Sequence, residues 1–117
     1  MALHLSGIVG PDRYPKKWYD NGWVKNGQNV LNYIDVSDIV FLINELFKKF
    51  KAGERFNLTS ADWKTHQTIS DLLKIEGEFV NKEGTVDSKK VKNTKILDYL
   101  NLKDYKFVKY PEDCIVK

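Results

Sequence analysis

The pattern of apolar and polar residues between positions 35 and 53 predicts one long amphipathic helix. Apolar side chains recur there at the three- and four-residue spacing that places them along one side of a helix. Asp35 or Ser37 can cap its N-terminus, and Ala52-Gly53 can end it. We expect this helix to be central to the fold, with a core-facing stripe made of Ile39, Val40, Leu42, Ile43, Leu46, Phe47 and Phe50.

Weaker patterns elsewhere predict two further helices, a short helical start after Pro15, and a few short strands. The second helix is expected over 60–73, capped by Thr59 or Ser60, and the third over 88–100. Extended segments are expected over 2–9, 30–34, 76–80 and 105–110. The pattern therefore predicts a single α+β domain over residues 1–117, with a three-helix core and an element order that loosely resembles winged-helix proteins.

Bulk composition narrows the class of protein. At 117 residues the chain can bury one core, and its 19 basic against 16 acidic residues make it only mildly basic. One cysteine, Cys114, rules out an internal disulfide and a cysteine-rich zinc site. There is no apolar run long enough for a membrane span and no signal-peptide pattern. We therefore expect a cytoplasmic protein without membrane contact.

The sequence contains no recognisable catalytic motif. It lacks a nucleophile elbow, a phosphate-binding glycine loop and a paired-histidine zinc motif, and its two histidines are far apart. Residues 34–44 resemble the end of an EF-hand or dockerin calcium loop, but Gly27 stands where the first acidic ligand belongs. We therefore expect no enzyme activity, no metal and no cofactor.

The segment 13–25 concentrates basic and aromatic residues ahead of the long helix. Basic side chains hold phosphates while aromatic rings stack on bases, and the same composition is common at protein interfaces. Alternatively, the tryptophans anchor this segment onto the core. The candidate binding residues here are Arg13, Lys16, Lys17, Trp18, Tyr19 and Trp23.

A second basic cluster lies in the predicted third helix. Lys89, Lys92 and Lys95 are three residues apart, so in a helix they would form one ridge that can lie along a phosphate backbone. The alternative is an ordinary solvated helix face. Together the two clusters predict a non-enzymatic small binding protein associated with nucleic acid. The alternatives are a protein–protein module acting as an inhibitor or adaptor, and, ranked last, a small enzyme built on carboxylates and His66.

Overall fold

In the part of the chain that the structure describes, four short strands pair in parallel and four helices pack around them. The computed structural model describes residues 1–22, 24, 26–75 and 89–114. The predicted α+β class is confirmed. In chain order the elements are β1 (Ala2–Leu5), β2 (Gly7–Val9), α1 (Lys16–Asp20), β3 (Tyr33–Asp35), α2 (Val36–Lys48), β4 (Arg55–Leu58), α3 (His66–Leu72) and α4 (Thr94–Tyr99).

The strands form two separate two-stranded sheets. β1 pairs with β4, with Leu3 opposite Phe56, and β2 pairs with β3, with Ile8 opposite Ile34. Parallel strands need crossover connections. The connection from β2 to β3 contains α1, and the connection from β1 to β4 contains β2, α1, β3 and α2. The described strand pairs are therefore crossover units, not the antiparallel hairpin that makes up a wing.

Helix α2 confirms the strongest sequence prediction. It begins after Asp35, whose carboxylate accepts from the Ser37 amide at 2.9 Å, and it ends at Lys48. Only part of the predicted stripe is buried, however. Leu42 and Leu46 lie in the core, whereas Phe47 is 74% exposed and Phe50 63% exposed. The apolar residues of α2 therefore extend over more of the helix surface than the other described elements cover.

Two apolar clusters share the interior, one on each side of β3. Neighbouring residues of a strand face opposite ways, so Ile34 joins the first cluster and Tyr33 the second. The first lies between the β1–β4 sheet, α2 and α4, and includes Leu42, Phe56 and Ile96. The second joins α1, β2, β3, α3 and the C-terminal segment through Val9, Tyr19, Leu31, Tyr33, Ile69 and Tyr110.

Three predicted elements differ from the structure. Helix α3 begins at His66 with Thr65 as its cap, because Thr65 is extended and the Lys64 carbonyl bonds to the Leu31 amide. Helix α4 begins only at Thr94. Residues 105–110 form no strand, since the amides of Val108, Lys109 and Tyr110 bond to side chains instead. The predicted strand over 76–80 and the start of the third helix at 88 lie outside the described residues. Within the described ranges, no helix is long and apolar enough to cross a bilayer.

Candidate functional site

A cleft of about 500 Å³ lies between the start of α1, the end of α3 and the C-terminal segment. The rings of Tyr14 and Tyr110 stack in it, with centroids 5.3 Å apart and planes 16° apart. Clefts of this size, with apolar walls and a few polar groups, are typical of small-molecule sites. The wall of this Tyr14–Tyr110 cleft consists of Tyr14, Lys16, Leu72, Leu73, Lys74, Tyr110, Pro111, Glu112 and Cys114.

A buried hydrogen-bond network fixes the C-terminal wall of the cleft. The Tyr110 amide donates to the hydroxyl of Tyr33 at 2.8 Å, and that hydroxyl donates to Asp62 at 2.5 Å. Lys64 pairs with Asp62 and, at 3.1 Å, with Glu112. Burial raises the pKa of Tyr33 far above its ordinary value, and its hydrogen bond to Asp62 raises it further. Tyr33 therefore keeps a neutral hydroxyl, which donates to Asp62 and accepts from the Tyr110 amide.

The polar groups of the cleft are mostly neutral or already paired. Lys16 forms an ion pair with Asp20 at 2.7 Å, and Glu112 is paired with Lys64. Burial raises the pKa of Tyr110 to about 12 and raises that of the Cys114 thiol above its usual value. At neutral pH the cleft therefore offers hydroxyl groups, a protonated thiol, apolar surface and one ammonium group, that of Lys74, which has no ion-pair partner among the described residues. That lining suits an uncharged ligand rich in hydroxyl groups better than a polyanion.

The basic residues predicted near the N-terminus lie on the surface. Arg13, Lys16 and Lys17 are all exposed, and only Lys16 lines the Tyr14–Tyr110 cleft. Pro15 opens α1 as predicted. That these three side chains contact a binding partner stays a prediction.

The aromatic residues of the same segment differ in their placement. Trp18 is half-buried and packs against the second apolar cluster. Tyr19 must be corrected to a core residue, because it is only 3% exposed and its hydroxyl is hydrogen-bonded to Nδ1 of His66 at 2.9 Å. Trp23 lies outside the described residues. The alternative named the two tryptophans as anchors, and of these the structure describes only Trp18, which is packed against the core on one side.

The lysine cluster does not form a helical ridge. Lys89 and Lys92 precede α4, and only Lys95 lies within it. The Lys89 carbonyl accepts from the Asn32 side chain at 2.6 Å, which ties this segment to the residue before β3. Lys92 and Lys95 line a second, smaller cavity. Nucleic-acid association and the adaptor alternative stay predictions.

The Tyr19–His66 pair predicts a pH-dependent stability. Burial lowers the pKa of His66 from its ordinary 6.5, so below that pH the unfolded chain binds more protons than the folded one. The contribution of His66 to stability is thus present above about pH 6.5 and is lost as the pH falls. We expect His66→Gln to flatten the loss of unfolding free energy between about pH 7 and pH 5, measured by urea titration. A variant that keeps the wild-type slope would contradict this.

Sequence reasoning missed the two tyrosines that define the cleft. Tyr14 and Tyr110 are 96 positions apart in the chain (110 − 14), and each directly precedes a proline. A residue before proline is biased towards extended backbone, which marks a turn but not a shared site. The Tyr-Pro repeat was the only sequence feature that could have connected them.

No protein-family model matches the chain. Among curated proteins it is similar to protein YeeZ of Escherichia coli strain K12, at 29% identity over 56 residues. That match covers 48% of this chain and 20% of YeeZ. It indicates a similarity over part of the chain and assigns no function.

The structure is similar to parts of larger solved enzymes. It matches dTDP-glucose 4,6-dehydratase from Bacillus anthracis in complex with NAD, with a TM-score of 0.60, 20% identity and 95% of this chain covered. It also matches RMD from Pseudomonas aeruginosa complexed with NADPH (TM-score 0.58, 15% identity, 83% covered) and UDP-N-acetylglucosamine 4-epimerase from Bacillus cereus (TM-score 0.52, 18% identity, 91% covered).

These matches correct one prediction. The expectation of a non-enzymatic protein is contradicted, because a dehydratase and an epimerase share the fold of this chain. At these identities the likeness establishes the fold alone. The chain spans 40%, 39% and 38% of the lengths of the three solved structures.

The described residues do not fit a dinucleotide. A dinucleotide pyrophosphate binds where a glycine-rich turn after a strand enters a helix N-terminus. Here α2 follows β3 directly, and the carboxylate of Asp35 occupies its N-terminus. The sequence contains no Gly-x-Gly-x-x-Gly. We therefore assign no NAD or NADP contact to the described residues.

Proposed function

We propose that this chain forms the substrate-binding part of an NAD(P)-dependent enzyme that modifies a sugar carried on a nucleotide. The observation that carries the proposal is the fold shared with dTDP-glucose 4,6-dehydratase, which extends over 95% of this chain. The described residues offer no dinucleotide site, so the proposal assigns them to the sugar substrate and not to the cofactor. The sugar would occupy the Tyr14–Tyr110 cleft.

The chemistry of the cleft supports a sugar as its ligand. Sugar rings have apolar C–H faces and many hydroxyl groups, so aromatic surface and neutral hydrogen-bonding groups recognise them together. Tyr110 is only 2% exposed, so Tyr14 is the more accessible ring of the stack. The ion pairs of Lys16 and Glu112 hold the rim without leaving an unneutralised charge on either side chain.

The proposal is tested by titrating the protein with dTDP-glucose and with UDP-N-acetylglucosamine and following backbone amide shifts by NMR. We expect saturable shifts around Tyr14, Leu73 and Tyr110. Replacing Tyr14 with alanine should weaken binding about tenfold, because it removes the accessible aromatic face.

Lys16→Gln and Lys17→Gln form a matched pair for the same titration. Both remove one positive charge from α1, but only Lys16 lines the cleft. We expect Lys16→Gln to weaken binding and Lys17→Gln to leave it unchanged. Equal effects of the two variants, or no shifts with either nucleotide sugar, would refute the proposed site.

A further inference from the structure

A second cavity, of about 240 Å³, lies where the β1–β4 sheet meets the start of α4, and its wall includes Phe56 and Ile96 of the first apolar cluster. Side chains alternate between the two faces of a strand, and β4 follows this rule, with Phe56 and Leu58 buried. The opposite face carries His4 of β1 directly across from Asn57 of β4. The remaining polar side chains of the wall come from β4 and from the residues at the start of α4, namely Arg55, Lys92, Asn93 and Lys95.

The cavity wall is basic. It contains Arg55, Lys92 and Lys95 and no carboxylate. Lys95 pairs with Glu54 at 3.2 Å beside the cavity. Within the part of the chain that the structure describes, neither Arg55 nor Lys92 has an ion-pair partner. Two positive charges therefore face this cavity without neutralisation.

The framework that holds these charges is fixed by hydrogen bonds. Lys95 Nζ donates to the Arg55 carbonyl at 2.7 Å, which ties α4 to the start of β4. The side chain of Asn93 donates to the Thr59 carbonyl at 2.9 Å, which ties the residue before α4 to the end of the same strand. These two bonds hold the start of α4, and so the backbone next to Lys92, beside β4 before any ligand binds. A backbone held in this way loses less entropy on binding.

We propose that this cavity binds a phosphate or diphosphate group. The guanidinium of Arg55 can form two parallel hydrogen bonds to phosphate oxygens, and Lys92 adds a second positive charge. The amide of Asn57 and the imidazole of His4 supply further donors at the same face. The site shares no lining residue with the Tyr14–Tyr110 cleft, so it does not depend on the proposed function.

The test is a titration with pyrophosphate, followed by backbone amide shifts of the full chain at low and high salt. We expect saturable shifts at His4, Arg55–Asn57 and Lys92–Ile96 that weaken as salt screens the charges. Arg55→Gln and Lys92→Gln should each reduce affinity about tenfold, the loss expected when a charge-assisted hydrogen bond is removed. Both residues are exposed, and if one variant fails to fold, the other carries the test.

Lys103→Gln is the matched control, because it removes the same charge from an exposed lysine beyond α4 that does not line the cavity. We expect it to change the affinity by less than about twofold, since its charge is screened by solvent. If Lys103→Gln weakens binding as much as Lys92→Gln, or if pyrophosphate causes no saturable shifts, there is no phosphate site here. Such a failure would leave the sugar titration of the Tyr14–Tyr110 cleft unaffected.

Two competitors distinguish the source of the phosphate. A nucleoside diphosphate that displaces pyrophosphate, while a short single-stranded oligonucleotide does not, identifies a small phosphorylated ligand. An oligonucleotide that displaces pyrophosphate, with a steeper dependence of affinity on salt, identifies a nucleic-acid backbone. Either result supports the site, and the second would also support the nucleic-acid association predicted for Lys92 and Lys95.

Discussion

Replacing Asp38 with alanine is expected to lower the free energy of unfolding by about 3 kcal/mol, because two part-buried donors then lose their acceptor. Asp38 is 2% exposed, and its carboxylate accepts from the Tyr105 hydroxyl at 2.5 Å and from the Val108 amide at 2.9 Å. Burial raises the pKa of Asp38 from its ordinary value, although both hydrogen bonds oppose that shift. This side chain attaches the C-terminal segment to α2.

The loss is measured by urea unfolding with helix content as the signal. Asp38→Asn keeps one acceptor oxygen and should cost less than Asp38→Ala. Asp98→Ala is the control, because Asp98 is exposed on α4 and lies 4.0 Å from its lysine partner. Its effect should stay within about 0.5 kcal/mol. If Asp38→Ala and Asp98→Ala destabilise equally, the attachment through Asp38 contributes nothing to stability.

Leu46→Ala and Phe47→Ala are expected to differ strongly, although both residues belong to the predicted apolar stripe of α2. Leu46 is 3% exposed and packs in the first apolar cluster, so its truncation should leave a cavity and cost about 3 kcal/mol. Phe47 is 74% exposed, and its truncation should change stability by less than about 0.5 kcal/mol.

The two variants are compared under identical conditions by urea unfolding, with the denaturant slope as a check on the unfolded state. Both place alanine, the best helix former, at neighbouring positions of one helix. The difference in unfolding free energy therefore isolates burial from helix propensity. A loss for Phe47→Ala as large as that for Leu46→Ala would mean that Phe47 is covered in solution.

The sequence predicted helix α2 correctly, but it missed strand β4 and predicted a strand over 105–110 that the structure does not contain. The repeating apolar spacing and the cap of α2 are local properties, so they could be predicted and were confirmed. Strand β4 was missed, although its residues alternate from Arg55 to Leu58, because four residues are too few to distinguish a strand from a loop. Residues 105–110 were expected to be a strand. Their local pattern does not show that the Val108 amide donates to Asp38 and the Tyr110 amide donates to the Tyr33 hydroxyl.

The candidate sites depended even more on tertiary contacts. The basic residues of segment 13–25 were identified from composition, but the structure places Tyr19 in the core and only Lys16 at the cleft. Tyr14 and Tyr110 meet because β3 presents the Tyr33 hydroxyl to the Tyr110 amide, a contact between residues 77 positions apart. No local pattern contains that information.

The sequence by itself therefore determined the α+β class, the position and cap of α2, and the presence of two basic clusters, because each follows from neighbouring residues. Only the tertiary structure decided which apolar residues are covered, since burial depends on what the rest of the chain places against them. It also decided that Lys92 and Lys95 belong with Arg55 and His4 at one cavity instead of forming a ridge with Lys89. Pairing between β1 and β4 brought His4 to the strand that carries Arg55, across more than fifty positions of sequence, and the hydrogen bonds of Asn93 and Lys95 attached the start of α4 to that strand.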